Sequence, residues 1–280
     1  QSKVAEPMIR ESNTNGAAGM FTQDEALAYG IRELIQRESF LIFWLNKIAP
    51  PRIDSSTIMD SGVRRILKTM NRYGFDCEIL DVTSDFGLPS FVAILMDGAG
   101  DRRKIAIGGG SSPNAEQAIQ SALMETLMVM HMQRKIPPFQ LPSEYAPFED
   151  KSVGRSERMM LWANPDMFPQ LKWFLEGEKV SLVSRSRYYN TPREIDRELA
   201  FYVSKCASLG VGHEIYYFEV SNPVLTALQY HVVKVIIPGL VNLYLREPYA
   251  PLGNTRLLDV PRRLGYNSSS FPNPIPHPFP

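Results

Sequence analysis

The segment from Thr22 to Leu45 constrains the fold most strongly, because it predicts a long helix that is apolar around most of its circumference. Thr22-Gln-Asp-Glu25 has the pattern of a capping box, which places the start of the helix there. Such a helix must be covered by other elements on several sides. Its charged residues Glu33 and Arg37 would then be buried, and buried charges must be paired, hydrogen-bonded or bound to a metal ion.

The rest of the chain carries signals for both helices and strands. Ser61 to Arg72 predicts a second amphipathic helix, and Ser112-Pro113 predicts the N-cap and first residue of a long helix that ends near Gln133. Another helix is predicted to begin at the capping box Thr191-Pro-Arg-Glu194 and to end at Leu209. Strands are predicted at 75–82, 91–96, 102–107, 180–185, 213–220 and 231–237. We therefore predict an α+β fold with long helices packed on a largely antiparallel mixed sheet.

Two stretches lack this regular patterning. Residues 136–164 combine scattered proline, serine and acidic residues, which predicts an irregular connection and the best internal boundary. Seven of the 22 prolines lie in the last 30 residues, so the tail 271–280 is predicted to be extended, polyproline-like chain that is not packed. The expected organisation is one domain over 1–270 followed by the tail, and because the first residue is Gln1 the chain is expected to be a fragment or a processed product.

Charge and cysteine content limit the partners and the compartment. The 30 Lys and Arg residues balance 30 Asp and Glu residues, so no bulk field attracts nucleic acid or an anionic membrane. Two cysteines are too few for a disulfide framework or a Cys-rich zinc site. No apolar run reaches the roughly 18 to 20 residues of a membrane span. We predict a soluble, cytoplasmic protein without a nucleic-acid or membrane partner.

A segment of small residues precedes each of the two longest predicted helices. These segments are 14–19 and 108–113, and the helices that follow them carry Glu33 and Glu125 roughly three turns from their starts. Each segment fits a tight turn with a positive φ, or a set of backbone amides that face a phosphate. Glu33 and Arg37 likewise fit either a surface ion pair or a site for magnesium and nucleotide phosphates.

Together these residues resemble the YcaO-domain family, and within it the azoline-forming cyclodehydratases that modify ribosomal peptides. Glu33-Leu-Ile-Gln36-Arg37 is similar to the ExxER helix of that family, and Ala122-Leu-Met-Glu125 is similar to the start of its ALxExxQ helix. Pro276-His-Pro278-Phe-Pro280 matches the PxPxP terminus typical of azoline-forming members. Two positions differ from the family pattern: Gln36 replaces a glutamate and Met128 replaces a glutamine.

The resemblance implies an enzyme that depends on ATP and Mg²⁺. A Cys, Ser or Thr side chain of a precursor peptide attacks the preceding carbonyl, ATP phosphorylates the amide oxygen, and loss of phosphate gives a thiazoline or oxazoline. The resemblance implies that Glu33 and Glu125 hold the metal, and that the terminal carboxylate of Pro280 is catalytic. The nucleotide-binding residues that it implies are Asn15, Gly16, Glu33, Gln36, Arg37 and Glu125.

The partners implied by the resemblance are the precursor peptide and a leader-peptide-binding protein or upstream domain, and a homodimer stays open. Two other functions also stay open. One is thioamide or amidine formation on a backbone amide, which the PxPxP end disfavours. The other is a non-catalytic peptide-binding or scaffold subunit, which Gln36 and Met128 favour. The tail alone also fits a proline-rich ligand of an SH3-like domain.

Overall fold

A computed structural model describes residues 13–98, 103–220 and 222–279. The strands in these ranges are β1 (Ala17–Met20), β2 (Arg52–Ile53), β3 (Phe75–Asp81), β4 (Ser90–Asp97), β5 (Lys104–Ser111), β6 (Lys179–Val180), β7 (Tyr216–Glu219) and β8 (His231–Ile236). The α-helices are α1 (Gln23–Leu45), α2 (Ser61–Arg72), α3 (Ala115–Gln133), α4 (Arg155–Trp162), α5 (Phe168–Leu171), α6 (Leu182–Arg185), α7 (Ile195–Leu209), α8 (Pro223–Ala227) and α9 (Arg256–Arg263). None of these helices has the length and apolarity needed to cross a membrane.

The strands form a mixed sheet of five strands and an antiparallel sheet of three. The larger sheet has the order β5-β4-β3-β2-β6, and its neighbours are antiparallel except for the parallel pair β2 and β6. The smaller sheet has the order β1-β8-β7. The predicted α+β fold with a largely antiparallel mixed sheet is therefore confirmed.

Helix α1 is buried on several sides because it packs on both sheets. Successive residues of β4 face opposite layers: Val92 packs with the Phe40–Leu45 part of α1, whereas Ala93 packs with α3. The first half of α1 packs instead on β8 of the smaller sheet, through residues such as Ile31. The larger sheet thus lies between α1 and α3, and α1 extends beyond it to the smaller sheet.

Local capping signals placed some helix ends correctly and others wrongly. Thr22 caps α1 by accepting a hydrogen bond from the Glu25 amide at 3.3 Å, as predicted. The predicted cap at Ser112 is wrong, because the Asn114 side chain, also a favoured cap, accepts from the first amides of α3. The predicted cap at Thr191 is also wrong. Its side chain is buried, and Glu194 occupies the N-cap position of α7.

Two other local predictions are also wrong. Residues 136–164 are not wholly irregular, because they contain α4, whose Trp162 belongs to the main hydrophobic core. Residues 180–185 are not one strand. The Ser181 hydroxyl oxygen accepts a hydrogen bond from the Ser184 amide. This bond caps α6, which begins directly after β6.

The tail is extended, but the prediction that it is not packed is wrong. Residues 276–279 are buried, and Phe279 belongs to the main hydrophobic core. The Asn273 amide donates to the Leu45 carbonyl at 2.8 Å, which joins the tail to the end of α1. Pro280, the predicted catalytic residue, lies outside the described residues.

Candidate functional site

The candidate site lies at the β5 side of the larger sheet, where α1 and α3 approach each other from opposite faces. A run of three glycines, Gly108–Gly110, permits this approach. A Cβ atom at Gly108 would lie 2.4 Å from the Thr126 nitrogen, and one at Gly110 would lie 2.1 Å from the Ala118 oxygen. These glycines continue β5, and their φ angles are not positive. The turn that the sequence suggested here is therefore wrong, since the close approach of α3 is what requires glycine.

Arg37 on α1 connects the carboxylates of the two helices. Its Nη2 atom lies 3.2 Å from Oε1 of Glu125 on α3 and 3.8 Å from Oε1 of Glu33, one turn earlier on α1. The Arg37 side chain is 14% exposed, and the two glutamate side chains are 26% and 24% exposed. The cluster is thus largely shielded from water and spans two helices. It is more than a surface ion pair on α1.

Each glutamate also accepts a hydrogen bond from the glycine segment that precedes its own helix. The Gly16 amide donates to Glu33 Oε2 at 3.0 Å, and the Gly109 amide donates to Glu125 Oε2 at 2.5 Å. The residues of the two pairs are 17 and 16 positions apart. The site therefore contains the same arrangement twice. One amide of each glycine segment, the segments considered for phosphate binding, thus donates to a carboxylate of the site itself.

The loop before β1 is held by Lys234 of β8, a residue that the sequence patterns did not indicate. Its Nζ donates to the carbonyls of Asn13 and Asn15 at 2.8 and 2.5 Å. Gly16 has a φ of 79°, and a Cβ there would lie 2.5 Å from the Val235 oxygen, so glycine is required. A signal for Lys234 was present, because it is the one lysine in the apolar strand His231–Ile236.

Gln36 and Met128, the two positions that differ from the family pattern, have different surroundings. Gln36 is buried, and a Cβ at Gly109 would lie 2.3 Å from its Nε2 atom, so its amide packs directly on β5. Met128 follows Glu125 by one turn of α3 and is 62% exposed. The structure therefore brings Gln36 into the cluster and leaves Met128 at the surface.

The tail reaches this cluster through Phe279, a residue that the sequence analysis did not single out. The centre of its ring lies 4.8 Å from the guanidinium carbon of Arg37 and 4.4 Å from the centre of the Phe40 ring. A Cβ at Gly109 would lie 3.1 Å from the Phe279 ring. In the sequence, Phe279 is distinguished as an aromatic residue between two prolines. Phe279 closes one side of the cluster.

The charged groups of the cluster are not fully satisfied by one another. Burial raises the pKa of Glu33, an effect that Arg37 and the Gly16 amide oppose and that the nearby Glu125 reinforces. The Nε and Nη1 atoms of Arg37 are buried and have no hydrogen-bond partner among the described residues. Within the same residues no group of three or more His, Cys, Asp and Glu side chains is placed to hold a metal ion.

Two curated relatives show what the sequence is similar to. An uncharacterized protein of Methanothermobacter thermautotrophicus is 25% identical over 232 residues, covering 82% of this chain and 56% of that protein. An uncharacterized protein in the tfuA 3′ region of Rhizobium leguminosarum bv. trifolii is 28% identical over 124 residues, covering 41% of this chain and 30% of that protein. The chain thus matches about a third to a half of the length of these relatives.

Three solved structures share the fold. A heterocyclase in complex with substrate and cofactor has a TM-score of 0.74 and 21% identity, covering 98% of this chain and 35% of that one. The heterocyclase TruD has a TM-score of 0.72 and 22% identity, covering 99% and 36%. The YcaO protein from Methanopyrus kandleri, bound with AMPPCP and Mg²⁺, has a TM-score of 0.60 and 20% identity, covering 84% and 58%.

A family model provides the remaining comparison. The model describes a YcaO cyclodehydratase that binds ATP and Mg²⁺, and it matches residues 2–241. The match includes α1, α3 and both glycine segments, and it ends before the tail. On the extent of this match, the chain belongs to the YcaO cyclodehydratase family.

Proposed function

We propose that the chain is the ATP-using domain of a peptide cyclodehydratase, with a domain over 1–270 and a tail over 271–280. The observation that carries the proposal is the position of Arg37 between Glu33 and Glu125, with two buried guanidinium nitrogen atoms that have no hydrogen-bond partner within the described part of the chain. A planar guanidinium is suited to bind phosphate oxygens. The membership of the family, whose model describes ATP and Mg²⁺ binding, supports this assignment.

The residues of the cluster fit a magnesium ion that is bound together with a nucleotide. Two carboxylates are too few to enclose a metal alone, but Mg²⁺ is commonly bound by one or two carboxylates, phosphate oxygens and water. Glu33 and Glu125 would hold the ion, and Asn15, Gly16, Gln36 and Arg37 would contact the nucleotide. When bound, the metal supplies positive charge that stabilises the transferred phosphoryl group.

The substrate in this proposal is a ribosomal precursor peptide. A Cys, Ser or Thr side chain gives its proton to a base and attacks the preceding carbonyl carbon, and the former carbonyl oxygen takes the γ-phosphoryl group of ATP and releases ADP. Phosphate then leaves while the nitrogen loses its proton, which forms the C=N bond of a thiazoline or oxazoline. Arg37 stabilises charge on the transferred group. The carboxylate of Pro280 remains our candidate for the base, because Phe279 lies against Arg37.

The enzyme is expected to need a partner, and its reaction a compartment that contains ATP. We expect a leader-peptide-binding protein or further domain to deliver the precursor, and we expect the reaction to occur in the cytoplasm, where ATP is available. The presence of Glu33, Arg37 and Glu125 in one cluster favours a catalytic domain over a scaffold subunit. The buried tail favours cyclodehydration over binding to an SH3-like domain, which needs exposed prolines.

Calorimetric titration with ATP and Mg²⁺ tests the nucleotide site. We expect the parent chain to bind and Arg37→Lys to bind about tenfold more weakly, because lysine lacks the planar fork. Arg72→Lys, an exposed arginine on α2, is the matched control and should bind like the parent. Equal affinities for all three proteins would contradict the role of Arg37.

Mass spectrometry of peptides rich in Cys, Ser and Thr, incubated with the chain, ATP and Mg²⁺, tests the reaction. We expect the loss of one water per ring. Exchange of oxygen for sulfur in the presence of sulfide would indicate thioamide formation instead. Binding of ATP without any modified peptide, even after addition of a leader-binding partner, would favour the scaffold function.

A further inference from the structure

The buried part of the tail has few backbone donors. Proline has no N–H group, and prolines occupy every second position from 272 to 278. Such a chain cannot form a regular sheet ladder, and what it offers to the protein is mainly carbonyl oxygens. Residues 276–279 are nevertheless buried, where carbonyl groups require hydrogen-bond partners.

Three side chains provide these partners for three consecutive residues of the tail. In each pair a side-chain N–H donates to a backbone oxygen: Trp44 Nε1 to Ile275 at 3.1 Å, Trp162 Nε1 to Pro276 at 3.0 Å, and Arg158 Nη1 to His277 at 3.4 Å. We call these three donors the tail clamp. The three donors thus bind the backbone oxygens of consecutive residues.

The tail clamp is built on rigid elements. Trp44 lies on α1, and Arg158 and Trp162 lie one turn apart on α4. The two indole rings pack edge to face, with centres 5.6 Å apart. Arg158 is fully buried and is fixed by Glu247 at 2.6 Å and by the Leu245 carbonyl at 3.2 Å. The donors therefore have fixed positions along the tail.

The tail can take one register on these donors. A slip of one residue would bring each carbonyl to the neighbouring donor, but it would place a proline where His277 lies. A slip of two residues would restore the proline pattern but place Ile275 where His277 lies. His277 Nε2 donates to the Tyr244 carbonyl at 2.6 Å, a bond that neither proline nor isoleucine can make.

The register determines where Phe279 lies. Phe279 follows the last clamped residue, His277, by two positions, and its ring centre is 4.8 Å from the guanidinium carbon of Arg37. A slip of one residue would move the ring by about 3 Å, which is enough to end this contact.

We propose that Trp44, Arg158 and Trp162 are positioning residues that hold the tail in its docked position and, through Phe279, the position of Arg37. The effect on catalysis rests on the proposed function. The structural part of the inference does not, and it can be measured without any reaction.

The substitution Trp162→Phe removes one donor and keeps an aromatic ring. The matched control is Trp173→Phe. Trp173 packs on Trp44 in the same aromatic cluster, but its Nε1 donates locally to the Gln170 carbonyl at 2.8 Å. The probe is 4-fluorophenylalanine at position 279 of the full chain, observed by fluorine NMR. Proton NMR spectra establish that each variant is folded.

We expect one fluorine resonance for the parent and for Trp173→Phe. In Trp162→Phe a second resonance, at the position of an exposed ring, should report an undocked tail whose population has risen about tenfold. Trp44→Phe, which removes the neighbouring donor, should give the same second resonance. If both variants keep the single resonance of the control, the tail clamp does not hold the tail in place and the inference is overturned.

Turnover separates this inference from the proposed function. We expect Trp162→Phe to lower kcat for cyclodehydration relative to Trp173→Phe in proportion to the undocked fraction that the fluorine spectrum reports, because an undocked tail misplaces groups at the site by more than an ångström. A second fluorine resonance in a series without any turnover, the parent included, would support the inference and overturn the proposed function.

Discussion

The guanidinium carbon of Arg37 lies over the ring of Phe279, 4.8 Å from the ring centre. The tail therefore contacts the residue that connects Glu33 to Glu125. A cation over an aromatic ring is attracted by the negative charge of the ring face. The contact therefore helps to hold Arg37 beside the two carboxylates.

Replacing Phe279 by leucine should weaken nucleotide binding while the tail stays packed. Leucine retains most of the apolar volume and removes the aromatic face, which is worth about 0.5 to 2 kcal/mol to a nearby cation. We expect the Kd for ATP with Mg²⁺, measured by calorimetry, to rise about threefold to tenfold. Phe271→Leu is the matched control, because Phe271 belongs to the same tail and is 84% exposed. Equal Kd values for the two variants would show that the ring does not support Arg37.

The glycines of β5 should separate effects on the site from effects on the fold. A Cβ at Gly109 meets the end of the Gln36 side chain, which can move, whereas a Cβ at Gly110 meets the Ala118 backbone oxygen, which cannot. We expect Gly110→Ala to lose about 3 kcal/mol of unfolding free energy or more. Gly109→Ala should lose less than about 1.5 kcal/mol and bind ATP more weakly, since Gln36 is displaced.

Denaturant unfolding and calorimetry of the same preparations check this pair of variants. Gly253→Ala is the control, because a Cβ atom at Gly253 would meet nothing within 4 Å and the φ of this residue is not positive. It should match the parent in both measurements. A Gly109→Ala variant that binds ATP like the parent would show that Gln36 does not contribute to nucleotide binding.

The parts of this fold that were predictable from sequence are those determined by near neighbours. The start of α1 at Thr22 and the limits of α2 depend on caps and on the spacing of apolar residues within a few turns. The repeated pattern of a glycine segment, a helix and a glutamate also indicated that Glu33 and Glu125 are equivalent. Local signals are sufficient where the contact partners are close in sequence.

Some errors, such as the cap of α3, are choices between neighbouring local signals, whereas the larger errors occur where distant contacts decide the structure. Gly108–Gly110 have low strand propensity, and they form a strand because α3 packs on them. The burial of the tail depends on pairs such as Trp44 and Ile275, which are 231 positions apart. No local pattern contains that information.

Lys234 should be required for the geometry of the loop before β1. Its ammonium group donates to the carbonyls of Asn13 and Asn15, and replacement by methionine leaves both without this donor. We expect Lys234→Met to lose about 1 to 3 kcal/mol of unfolding free energy and to bind ATP more weakly. Lys68→Met, at an exposed position of α2, should stay within about 0.5 kcal/mol of the parent. A stable Lys234→Met variant with parental ATP affinity would contradict this role.

Glu33 should make the unfolding free energy depend on pH in a defined direction. Burial raises its pKa in the folded state above the ordinary value of 4.5. Between the unfolded and the folded pKa, the folded state holds more protons than the unfolded state, so the unfolding free energy falls as pH rises. The loss is complete above the folded pKa, and it is absent below the unfolded pKa.

Glu33→Gln cannot titrate and should therefore avoid this loss. We expect the unfolding free energy of the variant minus that of the parent, measured by denaturant unfolding, to be more positive at pH 7.5 than at pH 4. The control is Glu144→Gln, which makes the same exchange at an exposed position outside the site.

Glu33→Gln should also bind ATP with Mg²⁺ more weakly, because it lacks the negative charge that offsets the cation. Stabilisation at pH 7.5 together with weaker ATP binding would indicate that Glu33 is retained for binding at a cost in stability. A difference that does not change with pH would show that the burial of this carboxylate has no energetic consequence.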